Sequence, residues 1–348
     1  MRKRSLWIAL SLMACLGPGA ALAQPADRAW PTTATPAEQA LDATAFQGAG
    51  EVLAQQLTDV ESAVVVLRGR VVFSYYRDGD AERLRDTQSA SKSALSALAG
   101  TAIAQGRIAS VDQRVTELVP EWAPLNPDPR AATITLRHLL TLTAGFSLAD
   151  TPRTRAGTAA PLPPHDAWAR PLAAEPGQVF AYDNSVTPLL VAVLEKATGM
   201  PLADYTRQQL VGPMDFAEPR YQGSIAHLRT LDMAKLGQLY LQRGEWDGKP
   251  LVPATYVDAS VQAQSAGGPP VGLPYGQLWW VVPGKAPRPT FMASGWGGQL
   301  IWVYPPLDLV AATTSTVSAA SGQRGQALQW IRQQAFAAAQ RRVAAEPN

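Results

Sequence analysis

The chain has 348 residues, is 47% hydrophobic and carries a formal net charge of +2. That is enough apolar material for one large core or two lobes, and too little charge for a polybasic binder of nucleic acid or membrane surfaces. A single cysteine, Cys15, excludes a disulfide framework.

Residues 1–23 read as a secretory leader. Arg2, Lys3 and Arg4 precede an apolar run from Leu6 to Leu16, and Ala21-Leu22-Ala23 ends it with small residues. Cleavage is expected after Ala23, giving a secreted or periplasmic protein. A rival reading takes Leu12-Met13-Ala14-Cys15 as a lipoprotein box with Cys15 lipidated. The leader holds three positive charges and no acid, so the remainder is close to neutral. No other apolar stretch is long enough for a membrane span.

Gln24 to Pro36 reads as a loose arm and Ala37 to Leu57 as helix. Ala63–Leu67 and Val71–Tyr76, β-branched or aromatic around Arg68-Gly69-Arg70, predict an antiparallel hairpin. Then comes Gln88-Ser89-Ala90-Ser91-Lys92, opening an Ala-rich helix to about Ile103. Ser89 and Lys92 are three apart, so in the first helical turn their side chains share a face. An amine beside a serine hydroxyl can take its proton or hold a base against it. Of six lysines, only Lys92 has a serine three positions before it. Alone, the stretch also fits a capped helix with a lysine laid along its surface.

Thr135 caps a short Leu-rich helix carrying His138, which reads as a packed residue. Residues 150–176 read as a long loop of the kind that borders sites. Tyr182-Asp183-Asn184 follows it. In an extended segment, residues two apart point the same way, so the phenol of Tyr182 and the amide of Asn184 project together. Beside an ammonium, a phenol can serve as a general base. The bland alternative is a buried tyrosine whose hydroxyl is satisfied by the asparagine. Val186–Ala197, Pro201–Leu210 and Thr230–Tyr240 read as helices.

The last hundred residues predict four strands, 277–282, 290–294, 300–304 and 309–314, and a closing helix from Gly325 to Ala344. Between the second and third strands lies Ala293-Ser294-Gly295-Trp296-Gly297-Gly298-Gln299. Its glycines allow a close backbone approach or a plain hairpin turn, and its strand edge can offer an N–H to an oxyanion. Strands at both ends with helices between predict an α+β fold. An antiparallel sheet flanked by helices would form from residues 24–88 and 226–345, and 89–225 would be a mainly helical inserted lobe. His138, His165 and His227 share no metal-ligand spacing, so no metal is expected. The absence of a Gly-x-Ser-x-Gly elbow and of a Gly-rich phosphate loop excludes an α/β-hydrolase and a nucleotide site.

In this order, Ser-x-x-Lys at 89–92, Tyr-x-Asn at 182–184 and the Gly-rich turn at 293–299 resemble the β-lactamase-related serine hydrolases. That family includes class C β-lactamases, D-alanyl-D-alanine peptidases, family VIII esterases and 6-aminohexanoate-dimer hydrolases. The likeness spans about 45–318 and extends to Ile134–Thr141, Asp232–Gly237 and Tyr275–Trp280. It implies a β-lactamase/transpeptidase-like fold. It also implies Ser89 as acylated nucleophile, Lys92 and Tyr182 as the proton-transfer pair, and Asn184, Ser294, Gly295 and Trp296 as substrate-binding positions. The N–H groups of Ser89 and Trp296 would hold the oxyanion, and no cofactor is implied. Where the lactamases carry Lys-Thr-Gly, this chain has Ala293-Ser294-Gly295. The lysine that would meet a β-lactam carboxylate is missing. The expectation is therefore an exported carboxylesterase or amidase acting on a small molecule. The alternatives are a β-lactamase, a D-Ala peptidase, or a penicillin-binding-like sensor that acylates without turnover.

Overall fold

The apolar runs from the two ends of the chain pair with each other. The computed structural model describes residues 34–42, 44–154, 158–317 and 323–341. The expected leader and Cys15 lie outside them. The main sheet has eight strands: β1 (Val60–Leu67), β2 (Arg70–Tyr76), β3 (Ser265–Gly268), β4 (Leu273–Tyr275), β5 (Trp280–Val282), β6 (Thr290–Gly295), β7 (Gln299–Tyr304) and β8 (Leu309–Ser315). Their order is β2-β1-β8-β7-β6-β5-β4-β3, antiparallel throughout. The central pairing joins distant sequence, with Val65 opposite Ala311. The turn between β1 and β2 has positive φ at both Arg68 and Gly69, which matches the twist of a two-residue hairpin.

Both sheet faces are covered, which is why β8 is apolar or small along its whole length instead of alternating. Ile301, Val303 and Val310 meet helix α3 (Thr230–Leu241), whereas of the alternate residues Trp302 meets Phe336 from the C-terminal helical segment edge-on and Tyr304 stacks on it. Helix α1 (Lys92–Ala104) and helix α2 (Val186–Thr198) pack together beside the sheet. No single helix among the described residues is long and apolar enough to cross a membrane.

Gly237 sets the distance between α3 and the sheet. A Cβ there would lie 2.6 Å from Val310 Cγ1 and 2.8 Å from Ile301 Cγ2. Gly237→Ala is expected to destabilise the protein by about 1–3 kcal/mol, read by denaturant unfolding, although alanine favours an isolated helix by about 1 kcal/mol. A variant at least as stable as wild type would show that the helix can step back.

Several sequence expectations change. The helix expected over Ala37–Leu57 is a single turn at Ala37–Gln39 and a separate helix at Ala49–Gln55. Left-handed backbone at Ala40 and Gly48 separates the two. The strand expected from 277 begins only at Trp280, because Leu278 has φ +60°. The hairpin β3–β4 was not expected; its Gly- and Pro-rich sequence hides the pairing. The expected long loop contains regular structure, with a β-bridge from Arg153 to Ala159 and a helix at Pro164–Trp168. The closing helix runs as consecutive helical segments from Gln323 to Gln340.

Candidate active site

Ser89 sits in a 3-10 turn, Gln88–Ser91, that leads directly into α1. Gln88 has φ +49°, an uncommon conformation for a side chain of this size. It is held by Asp86, whose carboxylate accepts from the Gln88 backbone N–H at 2.9 Å and from its amide at 2.5 Å. The turn presses onto the end of β6. A Cβ at Gly295 would stand 2.5 Å from the Thr87 carbonyl oxygen and 2.9 Å from Gln88 Cβ. A glycine there lets the Ser89 turn approach the turn at Trp296.

Lys92 is 6% exposed. Its Nζ donates to Ser89 Oγ at 2.9 Å and to Asn184 Oδ1 at 3.0 Å. The same ammonium lies 5.1 Å from the centre of the Tyr182 ring. The hydroxyl of 89, the amine of 92, the ring of 182 and the amide of 184 therefore meet around one charge. The other face of this cluster is aromatic: Tyr182 stacks on buried Trp280 at 5.9 Å, and Trp280 meets Tyr275 edge-on at 4.6 Å. Burial, and then the neighbouring Tyr182, push Tyr275 well above its ordinary value. Tyr275 stays neutral, packed against Phe180 and Trp280.

Asn184 does not satisfy the Tyr182 hydroxyl. Its Nδ2 donates to Thr158 Oγ1 at 3.1 Å and to the Ala159 carbonyl at 2.7 Å. Both amide hydrogens are committed to the 150s segment, and the oxygen to Lys92. A substrate carbonyl reaching this amide has to displace one of those bonds. Nothing in the sequence marked Thr158 as a partner 26 residues away.

The third expected element divides. Trp296 lines a cavity of about 610 Å³ together with Ser89, Lys92 and Asn184. Gly295 acts by its missing side chain. Ser294 is 8% exposed and lines neither this cavity nor the adjoining one. A residue the motif reading gave no role, Gln299, holds the turn. Fully buried, it donates to the Ser315 carbonyl at 2.7 Å and to the Trp296 carbonyl at 3.2 Å, and accepts from the Ser315 N–H at 3.0 Å. The available signal was its place after Gly297-Gly298, where a polar side chain follows a tight turn into a buried strand. Asp183, between the two motif residues, is buried against Arg170, with Nη2 to Oδ2 at 2.5 Å.

His138 is a structural residue, as its Leu-rich helix suggested. Its Nδ1 accepts the Thr135 backbone N–H at 3.2 Å. Burial, then the charge of Arg137, hold it below the ordinary 6.5. Below pH 6.5 the unfolded chain binds this proton first, so stability falls as pH drops toward the folded value. His138→Gln, which can still accept at the cap, is expected to remove that small acid-side loss from a denaturation series. A series unchanged by the substitution would exclude His138 as its source.

No group of three or more His, Cys, Asp or Glu among the described residues could hold a metal. Known proteins place the chain broadly. The family model described as Beta-lactamase matches residues 51–336. No curated protein matches the chain. Among solved structures, a Bacillus anthracis protein assigned by name as a 6-aminohexanoate-dimer hydrolase is 22% identical with a TM-score of 0.65, over 83% of this chain and 80% of that one. EstCE1, described as a hydrolase with promiscuous acyltransferase activity, is 20% identical with a TM-score of 0.66, over 86% and 99%. A penicillin-binding protein homologue from Caulobacter crescentus is 15% identical with a TM-score of 0.67, over 85% and 97%. At such identities the structures establish the fold, while the matched model, spanning most of the sequence, establishes kinship: the chain belongs to the β-lactamase-related serine hydrolase family.

Proposed function

We propose that the protein hydrolyses small esters or amides through an acyl-enzyme on Ser89. The observation that carries this is the single ammonium of Lys92, hydrogen-bonded to Ser89 Oγ and Asn184 Oδ1 and set against the Tyr182 ring. Ser89 Oγ attacks the substrate carbonyl carbon while its proton passes to the Tyr182 oxygen, with Lys92 donating to Ser89 Oγ and lying against the Tyr182 ring. Tyr182 then returns the proton to the departing alcohol or amine. The N–H groups of Ser89 and Trp296 receive the oxyanion. Water then attacks the acyl carbon and passes a proton to the Tyr182 oxygen, which returns it to Ser89 Oγ as the acyl bond breaks and the carboxylic acid leaves.

The missing lysine at position 293 favours esters and amides over β-lactams. The test is steady turnover of p-nitrophenyl butyrate together with covalent labelling by a fluorophosphonate. Labelling without sustained turnover would leave a dead-end binder. Neither labelling nor turnover would sink the enzyme reading altogether.

A further inference from the structure

Gln88, the residue before Ser89, has left-handed backbone at φ +49°. A side chain there crowds its own backbone, so an unrestrained chain relaxes to negative φ. Two rotations would release it, one about the N–Cα bond and one about the Cα–C bond. A different side chain blocks each. The Asp86 carboxylate accepts the Gln88 N–H at 2.9 Å, which holds the peptide unit before the Gln88 Cα. The Ser91 hydroxyl donates to the Gln88 carbonyl at 2.8 Å, which holds the peptide unit after it. The second Asp86 oxygen accepts from the Gln88 side-chain amide at 2.5 Å.

Both holders are themselves fixed. Asp86 belongs to a two-residue strand, Arg85–Asp86, paired with Ile225–Leu228, where it lies opposite His227. The Thr87 hydroxyl ties the next residue to the same strand, donating to the Ala226 carbonyl at 2.6 Å. Ser91 is 4% exposed at the start of α1.

The consequence lies in the peptide unit between Gln88 and Ser89. It is planar and trans, so its C=O and N–H point in opposite directions. By fixing the C=O, the Ser91 hydroxyl also fixes the direction of the Ser89 N–H, which points away from it. Donors at an oxyanion are effective when they are aimed before the reaction begins. Resting on the hydrolase reading above, we propose that Asp86 and Ser91 are positioning residues. They hold Gln88 in its left-handed conformation and so aim the Ser89 N–H at the substrate oxyanion. Neither exchanges a proton with the substrate.

The test uses Asp86→Ala, Asp86→Asn and Ser91→Ala, with p-nitrophenyl butyrate as substrate and butylboronic acid as inhibitor. The tetrahedral boronate adduct on Ser89 carries an oxygen in the oxyanion position. Intact sites are counted by fluorophosphonate labelling taken to completion, so misfolded protein does not enter kcat. Asp86→Ala and Ser91→Ala are each expected to lower kcat per labelled site by roughly ten- to a hundredfold, because a misaimed donor is missed most in the transition state. KM should stay within about twofold, and boronate affinity should weaken by about the factor by which kcat/KM falls. Asp86→Asn, which keeps an acceptor for the Gln88 N–H, is expected to recover most of the loss. A merely structural role would lower the number of labelled sites and leave turnover per site and boronate affinity at wild-type levels, and that result overturns the proposal. So does a loss carried by KM alone, or an Asp86→Asn variant no better than Asp86→Ala. Wild type separates the two levels. If it turns over the ester and both alanine variants match it, only the positioning roles fall. If it neither labels nor turns over, the hydrolase reading falls as well.

Discussion

Ser89→Ala is expected to abolish fluorophosphonate labelling and to lower ester turnover by roughly 10⁴–10⁶, leaving the thermal unfolding midpoint almost unchanged. The fold should tolerate it because the hydroxyl's hydrogen bond here is from Lys92, which keeps Asn184 Oδ1 as a second acceptor at 3.0 Å. Tyr182→Phe is expected to cost about 10²–10⁴ in kcat. It keeps the ring against Trp280 and the cation over its face, so the loss reads the oxygen alone. The double variant should be scarcely worse than Ser89→Ala, because groups acting as one unit are not additive. Labelling that survives in Ser89→Ala would move the nucleophile elsewhere.

Arg170→Met is expected to lower stability by about 3–5 kcal/mol, because it strands the Asp183 carboxylate in the interior. The two side chains are 10% and 5% exposed. Arg170 also donates to the Ala167 carbonyl at 3.0 Å and lies 4.9 Å from the Phe146 ring centre. The double variant Arg170→Met/Asp183→Leu removes both charges and is expected to regain much of the loss. A single variant within about 1 kcal/mol of wild type by chemical denaturation would show that water reaches Asp183. This pair also bears on the site. Asp183 lies between Tyr182 and Asn184, and its Oδ1 accepts the Ser185 N–H at 2.9 Å, so it clamps the backbone from which both candidate site side chains project.

The fold was legible where local pattern and burial agree. The runs at 63–67, 300–304 and 309–314 do not alternate apolar with charged residues because both sheet faces are covered, and each became a strand. The expectation failed where backbone conformation overrode composition. Ala37–Leu57 is rich in Ala, Leu, Gln and Glu, yet left-handed backbone at Ala40 and Gly48 divides it. The β3–β4 hairpin was missed because its strands are short and include glycine and proline, so pairing with neighbours does what propensity does elsewhere.

At the site, the sequence by itself determined two local geometries: a serine and a lysine one turn apart, and a phenol and an amide two residues apart. Each follows from a backbone period of a few residues. Only the tertiary structure decided that these two pairs share one ammonium across 92 residues. It alone committed the Asn184 amide to Thr158 and Ala159, let Gly295 admit the Ser89 turn, and set Arg170 against Asp183. The reason is that periodicity sets the direction of a side chain from its own backbone, whereas its partner is set by which distant segment the packed core brings within 3 Å.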